Sequence, residues 1–159
     1  MPEATMAETE AQLTKLCHDF AFYMDYHKYH EVLALFTPDA LFDRILHVHR
    51  GHAEILAGLQ ARPPTMVTRH VSTNFHFRHM DSNEVRGVIY NMSYFGKLPA
   101  SGEAPAIFAG PGMLLDFHDT YRRTPEGWRF AERIARPILL DATAPMLASG
   151  RTWRPADFA

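Results

Sequence analysis

The stretch TMVTRHVSTNFHFRHM, residues 65–80, decides the fold of this 159-residue chain. It is long and rich in β-branched and aromatic residues, which is typical of a β-strand. A turn at 81–83 follows, and the segment EVRGVIYNMSYFGKL (84–98) has the same character. The two segments therefore predict a long β-hairpin, and the rest of the fold can be worked out from it.

Further strand-like segments follow the hairpin, and helical patterns precede it. IFAGPGMLLDFHDTYRRT (107–124) and WRFAERIARPILL (128–140) are joined by the turn PEGW. Apolar residues at helical spacing predict a first helix from Glu8 to Met24. The other predicted elements are a helix over 27–36, a strand over 40–50 and a helix over 52–62.

Helices first and antiparallel strands later predict an α+β domain. We expect a long curved sheet with helices packed on its concave side, because such an arrangement encloses a pocket of the kind that binds ligands. One domain is predicted over 1–159, in which 1–7 and 141–159 are peripheral.

Composition excludes several classes of protein. The formal net charge is −2 and the basic residues are scattered, which argues against nucleic-acid binding. No apolar run approaches the roughly 18 residues of a membrane span, and the acidic N-terminus lacks the order of a signal peptide. The single cysteine, Cys17, rules out an internal disulfide and fits a reducing compartment. We therefore expect a cytoplasmic protein with a small-molecule substrate, and Cys17 as inert packing.

The ten histidines raise the question of a metal site. Those that lie close together on one predicted element form three pairs: His27 and His30, His47 and His49, His76 and His79. No cysteine accompanies them, and the chain has no HExxH motif. It also lacks a glycine-rich phosphate loop. We therefore predict no metal and no cofactor.

Strict alternation along 65–80 places a polar, nearly uncharged set on one face. Its members are Thr68, His70, Ser72, Asn74 and His76. Such a face suits the wall of a semi-polar cavity or an ordinary solvent-facing surface. Asp25 lies at the edge of the apolar stripe of the first helix, where it serves as a cap or as a partner for another group. If Asp25 contacted His70, it would orient the imidazole as a general base.

Four segments together carry a family resemblance: FAFYMDYHKYHEVLALFTPDALFD (20–43), RGHAEIL (50–56), TRHVSTNFHF (68–77) and YRRTPEGWRFAERIARP (121–137). In this order they resemble the SnoaL-like group of the nuclear transport factor 2-like superfamily. The resemblance implies a cone-shaped, mostly antiparallel sheet around a pocket that the N-terminal helices close. It also implies a homodimer or homotrimer.

The resemblance further implies roles for individual residues. Dehydratases of this group carry an acid in the first-helix motif and a histidine in the long-strand motif, and Asp25 and His70 fill these places. In those enzymes the histidine removes a proton and the acid supports it. A late arginine serves in some members; the candidates are Arg133 and Arg136, and alternation places Arg136 on the face of Phe130. The predicted substrate-binding residues are Tyr23, Asn74, Tyr90, Tyr94 and Arg136.

The leading functional hypothesis is a cofactor-independent lyase that acts on a small apolar cyclic or aromatic substrate, by dehydration or another elimination or by release of formaldehyde. An isomerase or a polyketide-type cyclase is the first alternative. A non-catalytic small subunit of a ring-hydroxylating dioxygenase, or a ligand-binding module, is the second. Fold alone does not decide among them.

Overall fold

A computed structural model describes residues 5–140, with the backbone alone for 109–111. The peripheral position predicted for the tail from residue 141 lies outside the described residues. The elements follow in this order: α1 (Met6–Asp25), α2 (Tyr29–Leu33), β1 (Phe36–Asp43), β2 (Val48–Arg50), α3 (Gly51–Gln60), β3 (Met66–His79), β4 (Glu84–Lys97), β5 (Ile107–Thr124) and β6 (Gly127–Leu140).

The strands form one six-stranded sheet in the order β2-β1-β6-β5-β4-β3. Among the strands of residues 5–140 only the β1–β6 pair is parallel, and the predicted hairpin is the β3–β4 pair. The sheet is not closed, because β2 and β3 are its two edges, and register shifts in four of its ladders accompany its curvature. This confirms the predicted α+β fold with a curved, mostly antiparallel sheet. We call the face that packs against α1 the inner face, and the opposite one the outer face.

α1 begins with a capping box between Thr5 and Glu8, in which Thr5 Oγ1 accepts from the Glu8 backbone and Glu8 accepts from the Thr5 backbone. Its apolar stripe is buried as predicted: Leu13, Leu16, Cys17, Phe20 and Met24. The helix ends at Asp25, and His27 then adopts a positive φ of 54° that turns the chain. None of the helices within residues 5–140 is long and apolar enough to cross a membrane.

The predicted helix over 27–36 and strand over 40–50 have wrong bounds. α2 is shorter, and the strand is divided into β1 and β2. Phe36 pairs with Phe130 in the sheet, and its ring packs against Phe20 and Phe130, so burial overrides the helical spacing. Pro38 is tolerated in β1 because the ladder to β6 is interrupted between Phe36 and Leu41.

A bulge in β3 makes the predicted alternation wrong beyond Thr73. Thr73 lies opposite Tyr90 and His76 opposite Val88, so β3 carries one extra residue, and Asn74 adopts a positive φ of 49°. Phe75 and Phe77 then pack on the core, while His76 lies on the outer face. Asn74 and His76 therefore do not share the face of His70.

A second bulge reverses the two late arginines. Phe130 lies opposite Tyr121 and Glu132 opposite Thr120, so Ala131 is the extra residue of β6. The prediction that Arg136 shares the face of Phe130 is therefore wrong. Arg133 is on the inner face and fully buried, and Arg136 is on the outer face.

Candidate active site

The space between the helices and the inner face of the sheet contains a cavity of about 360 Å³. This volume lies within the usual range of small-molecule sites. Most of its wall is apolar, with Phe20, Met24, Phe42, Phe95, Met113, Leu115 and Phe117 among the lining residues. The polar side chains of the wall are Arg44, His47, Arg62, His70 and Ser93. A mainly apolar cavity with a few polar groups is suited to a ring-containing molecule.

Asp25 and His70 are in direct contact at this wall. Asp25 Oδ1 lies 2.6 Å from His70 Nδ1, and Asp25 Oδ2 accepts a hydrogen bond from the His70 backbone N–H at 3.0 Å. The exposed fractions of the side chains are 7% for Asp25 and 11% for His70. Both carboxylate oxygens are therefore engaged by one residue of β3, which fixes the relative position of the two side chains.

Thr68 and Arg62 hold Asp25 in this position. Thr68 Oγ1 donates to Asp25 Oδ1 at 2.8 Å. Arg62 donates to Thr68 Oγ1 at 3.1 Å and to the Met24 carbonyl at 2.9 Å, so it connects the C-terminal end of α1 to β3. Sequence reasoning missed Arg62. The sequence offered one signal for it: Arg62 is a single charged residue just after α3, and the last turn of that helix is uncharged.

The contact with Asp25 fixes the tautomer of His70. The carboxylate accepts the Nδ1 proton, which leaves a lone pair on Nε2. Within residues 5–140 no side chain or backbone group hydrogen-bonds to Nε2, and His70 lines the cavity. The imidazole can therefore take a proton from a bound molecule, while Asp25 stabilises the resulting cation.

Ser93 places a hydroxyl next to His70. The two residues are paired in register on β4 and β3, and both line the cavity. Ser93 Oγ accepts a hydrogen bond from Asn91 Nδ2 at 2.8 Å, and Asn91 Oδ1 accepts one from Ser72 Oγ at 3.1 Å. The Ser93 proton thus remains available to an oxygen atom in the cavity. Sequence reasoning missed Ser93 because it favoured the tyrosines of the same strand.

Comparison with known proteins identifies the family. A family model described as the SnoaL-like domain matches residues 5–134. The chain belongs to the SnoaL-like domain family. No curated protein matches the sequence at a significant level.

Solved structures with the same fold are similar to this SnoaL-like chain along most of its length. A protein proposed as a scytalone dehydratase from Novosphingobium aromaticivorans has 17% identity and a TM-score of 0.69, over 93% of this chain and 100% of that one. ActVI-ORFA from Streptomyces coelicolor has 18% identity and a TM-score of 0.66, over 80% and 96%. A cystatin-like protein of unknown function from Nostoc punctiforme has 18% identity and a TM-score of 0.70, over 91% and 99%. These similarities establish the fold.

The five predicted substrate-binding residues of the SnoaL-like domain lie outside the cavity wall: Tyr23, Asn74, Tyr90, Tyr94 and Arg136. Tyr23 packs against the core beside Phe22. Asn74 and Tyr90 line a groove on the outer face. The Tyr94 hydroxyl lies 3.9 Å from Met92 Sδ on that face, because the inward positions of β4 are the odd-numbered ones. The structure therefore brings together Asp25 and His70 and leaves these five apart from them.

Arg133 lies below the floor of the cavity. Its guanidinium carbon is 3.8–4.4 Å from the ring centroids of Phe20, Phe117 and Phe130, and it pairs with Asp119 at 3.4 Å. Phe20 and Phe117 also line the cavity, so they separate the arginine from it. Arg133 therefore supports the floor of the site and does not reach a ligand.

Asp119 and its neighbours are titratable groups in the core. The Tyr121 hydroxyl donates to Asp119 at 2.8 Å, and Cys17 lies 3.1 Å from the same hydroxyl. Burial raises the pKa of Asp119 to about 6, although Arg133 and Tyr121 oppose this. Burial also raises the pKa of the Cys17 thiol to about 11. In the part of the chain that the structure describes, no three side chains converge as metal ligands.

Proposed function

We propose that this chain is a cofactor-independent lyase that acts on a small apolar cyclic or aromatic substrate. The main supporting observation is the contact between Asp25 and His70, whose imidazole lines the cavity and whose Nε2 has no hydrogen-bond partner within residues 5–140. Membership of the SnoaL-like family, and the likeness to a proposed scytalone dehydratase, support a small-molecule enzyme.

The reaction requires one base that later acts as an acid. His70 Nε2 removes a proton from carbon, the electron pair of the C–H bond forms a C=C bond, and the C–O bond to the leaving group breaks. The imidazolium then returns its proton to the departing oxygen, so that water is released. When the base instead takes the hydroxyl proton of a CH₂OH group, formaldehyde leaves as the C–C bond breaks, the electron pair of that bond forms the C=C bond, and the C–O bond to the leaving group breaks. The imidazolium again returns its proton to the departing oxygen. Asp25 stabilises the imidazolium, and the Ser93 hydroxyl donates to the oxygen on which charge develops.

The same base also serves an isomerase or a cyclase, in which the proton returns to a different atom and nothing leaves. A ligand-binding module or a non-catalytic dioxygenase subunit needs no base. The free Nε2 in an apolar cavity therefore favours an enzyme over these binding functions.

The test is a screen of aromatic alcohols, diols and β-hydroxy ketones, with absorbance of a conjugated product and formaldehyde release as the two readouts. We expect His70→Gln and Asp25→Asn to lose about 10²–10⁴-fold in turnover, which is the usual contribution of general acid–base catalysis. The matched control is His76→Gln, because His76 lies on the same strand but faces outward.

The control variant separates loss of the base from a general loss of structure. His76→Gln should retain full turnover, and all three variants should melt close to the unaltered protein. Full activity of His70→Gln on a substrate that the unaltered protein turns over would exclude the proposed mechanism. A product of unchanged mass would indicate the isomerase or cyclase alternative.

A further inference from the structure

Arg44 lines the same cavity and has no acidic partner in the part of the chain that the structure describes. It follows the buried end of β1, and its guanidinium lies 5.9 Å from the ring centroid of Phe42. Its Nη1 donates to the Gly58 carbonyl at 2.9 Å. Among residues 5–140 no carboxylate pairs with Arg44, and the other N–H groups of its guanidinium have no hydrogen-bond partner there. A half-buried cation therefore faces the cavity with most of its donors available.

Arg62 increases the positive charge at this end of the cavity. Both arginines line the wall, and burial together with the charge of Arg62 lowers the pKa of Arg44 to about 10. The charge of Arg62 is offset through Thr68, whose hydroxyl connects it to the Asp25 carboxylate. Arg44 has no such connection to any carboxylate of residues 5–140. Placing an opposite charge beside it would recover part of the cost of its desolvation.

The guanidinium of Arg44 determines which kind of ligand group can pair with it. A guanidinium presents paired N–H donors that match the two oxygens of a carboxylate. The surrounding wall is mostly apolar, and the cavity volume of about 360 Å³ suits a ring system with one such substituent. His47, which also lines the wall, is a further donor near this position.

We propose that the cavity binds an aromatic or cyclic carboxylate, with Arg44 as the ion-pair partner of its carboxylate group. We place the ring of this ligand between Arg44 and the His70 imidazole, and this second part of the inference rests on the proposed function. The first part, anion selectivity at Arg44, is a binding property that holds whether or not turnover occurs.

The experiment compares two probes of the same shape, 2-naphthoate and the uncharged 2-naphthamide, by isothermal titration calorimetry. We expect the unaltered protein to bind 2-naphthoate at least tenfold more tightly than 2-naphthamide. Arg44→Gln should remove this preference while affinity for 2-naphthamide is retained, which also shows that the cavity is intact. Arg44→Lys keeps the charge and should retain part of the preference. The control is Arg86→Gln, because Arg86 is exposed on the outer face and pairs with Glu84.

Equal affinity for the two probes, an undiminished preference in Arg44→Gln, or no binding of 2-naphthoate at millimolar concentration would overturn the proposal. His70→Gln separates it from the proposed function. A preference that persists in His70→Gln supports Arg44 as the anion partner. A preference that His70→Gln removes and Arg44→Gln keeps assigns the anion to the imidazole and overturns the proposal. Loss of turnover is measured separately and does not affect either outcome.

Discussion

At the scale of single residues, Thr68 connects the two charged groups that set the geometry of the dyad. Its hydroxyl accepts from Arg62 and donates to Asp25. Thr68 does not line the cavity, so any influence on turnover is exerted through the orientation of Asp25. It is therefore a positioning residue.

Thr68→Val tests this role, since valine keeps the shape and removes the hydroxyl. We expect kcat to fall about tenfold with little change in KM, because one of the hydrogen bonds that orient Asp25 is lost. The pH profile of kcat should also move, since a less well oriented carboxylate stabilises the imidazolium less. Thr68→Ser should restore both values. A Thr68→Val variant that changes only the melting temperature would show that the hydroxyl is structural.

Asp119 gives a prediction about stability and pH. Its pKa rises from 3.8 to about 6 on folding, because burial disfavours the carboxylate more than Arg133 favours it. Between these two values the folded state holds a proton that the unfolded state has released, so stability decreases as the pH rises through this window. The loss is about 3 kcal/mol across the window.

The measurement is urea unfolding of the unaltered protein and of Asp119→Asn from about pH 3.5 to about pH 7.5. The unfolding free energy of the unaltered protein minus that of Asp119→Asn should decrease as the pH rises and level off above about pH 6. Other titrating groups cancel in this difference. A difference that is independent of pH, or that grows as the pH rises, would contradict the assigned pKa.

At the scale of elements, the strands were predictable but their faces were not. Composition placed the β3–β4 hairpin and its turn correctly, since β-branched and aromatic residues mark a strand whatever its register. A bulge inserts one residue and reverses every later side chain, so alternation failed from Asn74 onward in β3 and after Ala131 in β6. Asn74 is a residue type that tolerates a positive φ, but Ala131 offers no signal at all.

The β3 bulge can be tested at Asn74, which is exposed and has φ of 49°. Asn74→Val should destabilise the protein by about 1–2 kcal/mol, because a β-branched residue is strained in this conformation. Asn74→Gly is the matched variant and should be close to neutral, since glycine adopts positive φ without strain. Urea unfolding measures both. Equal stability of the two variants would show that the backbone does not require a left-handed residue here.

At the scale of the whole molecule, the candidate site depends on contacts that pattern cannot supply. Asp25 and His70 are 45 residues apart in the chain, and their pairing was predicted from the family resemblance. Arg44 and Arg62, which follow β1 and α3, and Ser93 on β4 line the cavity, and Thr68 on β3 contacts Asp25. Tertiary structure alone brings these residues together. The sequence therefore predicts the two residues of the dyad, Asp25 and His70, whereas the residues around them can be identified only from the folded structure.

The outer face of the sheet carries the last prediction. Val71 and Tyr90, on the neighbouring strands β3 and β4, have exposed fractions of 45% and 43%. Apolar side chains on an open sheet face favour association with a second copy, and we expect a homodimer or homotrimer. Light scattering after size exclusion should give a mass at least twice the 18.1 kDa of one chain. Val71→Lys combined with Tyr90→Lys should return it to the monomer mass, because like charges would meet across the interface. Since neither residue lines the cavity, binding of 2-naphthoate should survive this change. A monomeric unaltered protein at micromolar concentration would contradict the expectation.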